Sequence, residues 1–154
     1  MSDTIHVPIE IREAADSPGR VVGTILQVGR VASDRREVFA PNSVRWPANG
    51  IRLLAEHRGR QIMRVDPVMA DSGEIRIDAP LPDTALGRAT AAEIRSGRRR
   101  SLSVEFYSTS ESTVSGVREI TGALIDAAAV VPEGAYRQAR VRVEARERRR
   151  RWWL

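Results

Sequence analysis

Apolar and polar residues alternate over short stretches along most of the chain, which is the signature of half-buried β-strands. Ile5, Val7, Ile9 and Ile11 alternate with polar or small residues and predict a first strand. Asp16-Ser17-Pro18-Gly19 is a turn cluster. Val21–Val31 is a second β-rich run, in which Gly23 and Gly29 suggest bulges or close backbone approaches. Between Glu37 and Trp46, Pro41 and Asn42 precede Ser43-Val44, and one short helical turn is expected there. Ile51–Ala55 is a short apolar run that ends at Glu56-His57. Ile62–Met69 and Glu74–Ala79 predict two strands with a hairpin turn at Asp71-Ser72-Gly73.

Asp83–Ser96 changes period. Leu86, Ala89, Ala92 or Glu93, and Ile94 recur near 3.6 residues, Asp83 or Thr84 can cap the start, and Gly97 can end the helix. The arginines 98–100 follow, well placed for the carbonyl end of its dipole. Ser101–Tyr107 then alternates strictly, with Leu102, Val104 and Phe106 on one face and Ser101, Ser103, Glu105 and Tyr107 on the other. Val114–Thr121 and Ala123–Val131 predict two more strands. Val141 and Val143 predict a last strand or the start of a terminal helix. Roughly seven or eight strands and one helix give a mostly-β fold, a barrel or sandwich with helical insertions.

The chain has 154 residues, which favours one domain with a core of its own. It has no cysteine, which excludes disulfides, thiolate metal sites and cysteine nucleophiles. The N-terminus lacks the basic start and apolar run of a secretory signal, and no stretch approaches a membrane span. A soluble, intracellular protein is the expectation. All 25 basic residues are arginine. Residues 137–154 hold eight arginines and two glutamates, a net +6. The rest of the chain is therefore at −1 against the total of +5, so the basic character belongs to the tail and not to the body.

Candidate chemistry is sparse. His6 lies in the first predicted strand and reads as a surface or packing residue. His57 stands where an apolar strand opens into a loop, a position suited to a general base, although position alone favours a hydrogen-bonded strand-end histidine. No HExxH, EF-hand, GxxxxGK[ST], GxGxxG or GxSxG pattern occurs, so no metal or cofactor is expected. Ser101 and Ser103 are both candidate nucleophiles by position, and both also read as exposed strand serines. Asp126 interrupts the apolar run 123–131; if buried, it needs a donor, and an imidazole N–H would serve.

The order of these blocks resembles the caudovirus prohead (capsid maturation) serine protease family, related to the herpesvirus assemblins. The blocks are Val21-Val22-Gly23, the segment Glu37–Val44, Ile51–His57, Asp71-Ser72-Gly73 before a strand, Ser101–Phe106, and Leu124–Val130 with Pro132. The resemblance spans about residues 20 to 143. It implies a herpesvirus-protease-like β-barrel over residues 1–143, with 144–154 as an arginine- and tryptophan-rich tail. It implies a serine endopeptidase in which Ser103 is the nucleophile, His57 the general base and Asp126 the acid that orients His57. It further implies action in the host cytoplasm, inside the assembling prohead, on scaffold segments and the major capsid protein. The portal is a further candidate contact, and a homo-oligomer is expected.

The sequence departs from the family pattern in four places. Asp126 replaces a usual glutamate, Ala128 a common serine, and Met63 a usual glycine, and Arg58 follows His57 where an acid is frequent. An inactive assembly factor on the same fold is thus the alternative reading. The tail, EARERRRRWWL, suggests contact with nucleic acid or another acidic partner; a nucleic-acid-binding β-domain is the third reading.

Overall fold

The structure, a computed structural model, describes residues 17–31, 36–132 and 141–144. The predicted strand at Ile5–Ile11, with His6, and the tail beyond Glu144 lie outside the described residues.

The described elements run β1 (Arg20–Gln27), β2 (Glu37–Phe39), β3 (Val44–Arg45), β4 (Ile51–Leu54), β5 (Gln61–Val65), β6 (Val68–Met69), β7 (Glu74–Pro80), α1 (Ala85–Arg95), β8 (Ser101–Val114), β9 (Val117–Val131) and β10 (Val141–Glu144). One sheet has the order β10-β1-β7-β6, all antiparallel. The other is organised by β9. Its one side pairs antiparallel with β8; its other side takes β2, β3 and β4 in succession, all parallel, and β5 pairs antiparallel with β4. The chain is mostly β, as its alternation predicts. Its strands form two sheets, and no closed barrel is found among the described residues.

The apolar positions that set the strand pattern meet in one core. Val21 and Ile25 of β1, Ile75 and Ile77 of β7, Leu53 of β4, Leu102 of β8 and Ile120 and Ile125 of β9 are essentially sealed from solvent. Phe39 and Phe106 pack edge to face with ring centroids 4.9 Å apart. Ala127 to Val131 are all buried, which is why this stretch reads as a continuous apolar run: a strand covered on both faces has no solvent side to make polar.

Several local expectations are corrected. No helical turn forms between Glu37 and Trp46. The segment makes β2 and β3, because β9 offers it a parallel ladder, and Asn42, at φ 61°, carries the turn between them. The run Ile62–Met69 splits into β5 and β6 at Asp66-Pro67, where proline has no N–H to donate. The two strands expected at 114–121 and 123–131 are one strand of 15 residues. The reversal comes earlier, at Ser115-Gly116, whose φ values of 52° and 77° suit a two-residue hairpin turn. Gly23 is regularly paired, and the bulge in β1 falls between Thr24 and Leu26.

Helix α1 is capped as expected, with Thr84 Oγ accepting from the Gly87 N–H at 3.0 Å and Gly97 at φ 79° beyond its end. Its buried face differs, however. Gly87, Thr90, Ala91 and Ile94 turn inward, while Ala89 and Ala92 are exposed. Small alanines carry too little apolar weight for periodicity alone to choose the face.

Gly50, at the start of β4, has φ 85°, and a Cβ there would sit 2.4 Å from the Val65 carbonyl oxygen. Gly29 has a similar φ of 81° but open space around it. Gly50→Ala should therefore lower unfolding free energy by about 2 kcal/mol or more, and Gly29→Ala by only about 1 kcal/mol. Urea denaturation of the two variants measures the difference, and equal losses would show that the clash at Gly50 is relieved.

Candidate active site

The site grows from the register of three strands. Ser103 of β8 pairs with Ala129 of β9, which pairs with Leu54 of β4. One step along, Glu105 pairs with Ala127, which pairs with Arg52. Directly paired residues share a sheet face. Leu54, Ala127, Ala129 and Val131 form a small apolar cluster separate from the main core, which contains Ala128 and Val130. Ser101, Ser103 and Glu105 thus stand on the face opposite the main core, as the alternation predicts. The two serines are not exposed, however: Ser101 retains 6% and Ser103 8% of its accessible surface.

His57 follows β4 directly. The chain beyond Leu54 makes a tight reversal, closed by Ala55 N–H to the Arg60 carbonyl and Gly59 N–H to the Glu56 carbonyl, both at 2.9 Å. This loop hangs over β8. His57 Nδ1 lies 2.9 Å from Glu105 Oε2, and the Arg58 backbone N–H donates to the same oxygen at 3.2 Å. Arg58 is at φ 55°, a left-handed conformation that few non-glycine residues adopt.

Asp126 is placed differently from the expected triad acid. Its carboxylate accepts from the Arg52 guanidinium, and the carboxylate on His57 is that of Glu105. The register explains why. Glu105 pairs with Ala127 and Phe106 with Ile125, so Asp126 is the extra residue of a bulge, and Arg52 stands beside it on the neighbouring parallel strand. Both Asp126 and His57 still line one cleft of about 580 Å³, together with Glu105, Phe106, Tyr107 and Arg118. Ser103 lies two residues before Glu105 on β8, outside that lining.

Sequence reasoning did not single out Glu105. The signal was available, since strict alternation puts Glu105 on the same face as Ser103. What was missing was the position of the His57 loop, which depends on contacts between distant segments.

Arg118 joins the far wall of the cleft to the sheet. It donates from Nη1 to Glu37 Oε2 at 3.1 Å and from Nε to Glu111 Oε2 at 2.9 Å. The Glu37 side chain is 6% exposed, so Arg118 is the cation that makes its burial tolerable. The hydrogen bond from Arg118, helped by one from Ser108, holds the Glu111 carboxyl below the usual carboxylate range. Reciprocally, Glu111 raises the Arg118 guanidinium above its ordinary value.

The family described as caudovirus prohead serine protease matches residues 11–150 of this sequence. The chain belongs to that family. The match covers the whole two-sheet body and runs past β10 into the arginine-rich tail. No curated protein matches the chain, and no solved structure does. No helix among the described residues is long and apolar enough to cross a membrane.

The lowered Glu111 carboxyl sets a pH dependence. Its pairing with Arg118 stabilises the fold above the carboxyl's unfolded value and is lost as pH falls through the lower folded midpoint. A site-resolved NMR titration should place the Glu111 midpoint below that of an unpaired glutamate, and Arg118→Ala should move it upward. A midpoint indifferent to Arg118→Ala would show that the pairing does not persist in solution.

Proposed function

We propose that the protein is a serine endopeptidase that cleaves scaffold segments and the major capsid protein during phage head maturation, with Ser103 as nucleophile and His57 as general base. Membership of the family supplies the reaction class. The observation that carries the residue assignment is that β8 bears Ser103 and, two residues on and on the same face, the carboxylate that holds His57. The nucleophile and the base are thereby referred to one strand, although Ser103 and His57 lie 46 residues apart in the chain.

The chemistry follows from the groups. The Ser103 hydroxyl oxygen attacks the scissile carbonyl carbon, and its proton passes to His57 Nε2. The tetrahedral adduct collapses as the C–N bond breaks, and His57 returns that proton to the leaving amine. Water then attacks the acyl ester with His57 again as base, releasing the carboxylate product and restoring the serine. The buried position of Ser103 requires donors aimed at the developing oxyanion, since a charge there has little water to solvate it. It also requires the substrate to enter from the cleft side of β8.

Action inside the assembling prohead and self-association of the chain belong to the same reading. The tail at 144–154, with its arginines and two tryptophans, would be the contact for nucleic acid or an acidic capsid lining.

The test is cleavage of a co-expressed capsid precursor. Ser103→Ala and His57→Ala should each reduce cleavage by about a thousandfold or more while leaving the thermal midpoint within a few degrees. Normal processing by Ser103→Ala removes the assignment.

A further inference from the structure

We infer that Glu105, and not Asp126, is the positioning residue that sets the tautomer and orientation of His57. The inference rests on the reading of His57 as general base, but its decisive measurement does not require activity.

Three features of the site support it. The first is the bond itself. An ionised carboxylate only accepts hydrogen bonds, so the ring nitrogen facing Glu105 Oε2 at 2.9 Å must carry a proton. That nitrogen is Nδ1. A neutral His57 is then fixed as the Nδ1–H tautomer, with its lone pair on Nε2, the form a general base requires.

The second is that the same oxygen also accepts the Arg58 backbone N–H at 3.2 Å. One carboxylate oxygen therefore grips the side chain of one residue and the backbone of the next. It secures a left-handed Arg58 that its own conformational preference would release. The His57 side chain is 45% exposed and has little packing to orient it, so this grip is its main constraint among the described contacts.

The third is that Asp126 is occupied. Its carboxylate is bonded to Arg52, and it is the unpaired extra residue of the bulge between Ala127 and Ile125 in the β8–β9 register. The two acids of the cleft therefore hold different partners, Glu105 the histidine loop and Asp126 the neighbouring strand.

The measurement is imidazole 15N NMR of the full chain at a pH where His57 is neutral, with His6→Asn removing the second histidine signal. The wild-type ring should be predominantly the Nδ1–H form. Glu105→Ala should shift the population toward the Nε2–H form that free imidazole side chains prefer, and Glu105→Gln, whose amide oxygen still accepts, should largely restore the Nδ1–H form. Asp126→Asn should leave the tautomer as it is. In the precursor cleavage assay, Glu105→Ala should lower kcat about a hundredfold or more with little change in KM. If Asp126→Asn converts the tautomer and Glu105→Ala does not, the inference is overturned. The tautomer result stands even if Ser103→Ala proves fully active, in which case the protease assignment fails and the positioning of His57 by Glu105 survives.

Discussion

The pairing of β9 on both sides is the constraint on which the rest of the structure depends. A 15-residue strand holds β8 antiparallel along one edge and β2, β3 and β4 parallel along the other. Every group of the candidate site is referred to that ladder. Ser103 and Glu105 take their places from β8, Arg52 and the His57 loop from β4, and Asp126 from the bulge in β9 itself. A one-residue slip of β8 against β9 would turn Ser103 and Glu105 into the core and Leu102 and Val104 out of it. Burial of Leu102 and Ile125 therefore fixes the chemistry as well as the fold.

The site is also a balance of charges. The cleft brings together His57, Glu105, Asp126 and Arg118, with Arg52 beside Asp126 and Glu37 and Glu111 beside Arg118. Each acid has a donor: Glu105 the imidazole and an amide, Asp126 Arg52, and Glu37 and Glu111 together Arg118. Such pairing lets carboxylates stand at a half-buried surface without expelling their charge. It also gives Arg52 and Arg118 a local task. An all-arginine basic complement is thus no sign by itself of a nucleic-acid face on the body of the protein, since residues 1–136 carry a net charge of −1.

Much of the fold was legible because period and punctuation are local. The alternation of Ser101–Tyr107, the capped helix closed by Gly97, and the Asp71-Ser72-Gly73 hairpin all stand where the pattern puts them. The misreadings share one cause. Glu37–Arg45 looks like a helical turn only until β9 supplies a parallel partner, and Gly122 looks like a strand break only until β8 pairs across it. Ser101 and Ser103 look like solvent-facing serines because alternation reports two faces without saying that both are covered.

The sequence by itself determined the strand-rich class, the helix, the neutrality of the body and the small set of residues able to do acid, base or nucleophilic work. It did so because periodicity, turn chemistry and residue type act over a few neighbouring positions. Which carboxylate meets His57 was decided by the tertiary structure alone. Glu105 and Asp126 are equally plausible partners as letters, 48 and 69 residues away along the chain. Only the register of β8, β9 and β4, with one bulge at Asp126, sends one acid to the imidazole and the other to Arg52.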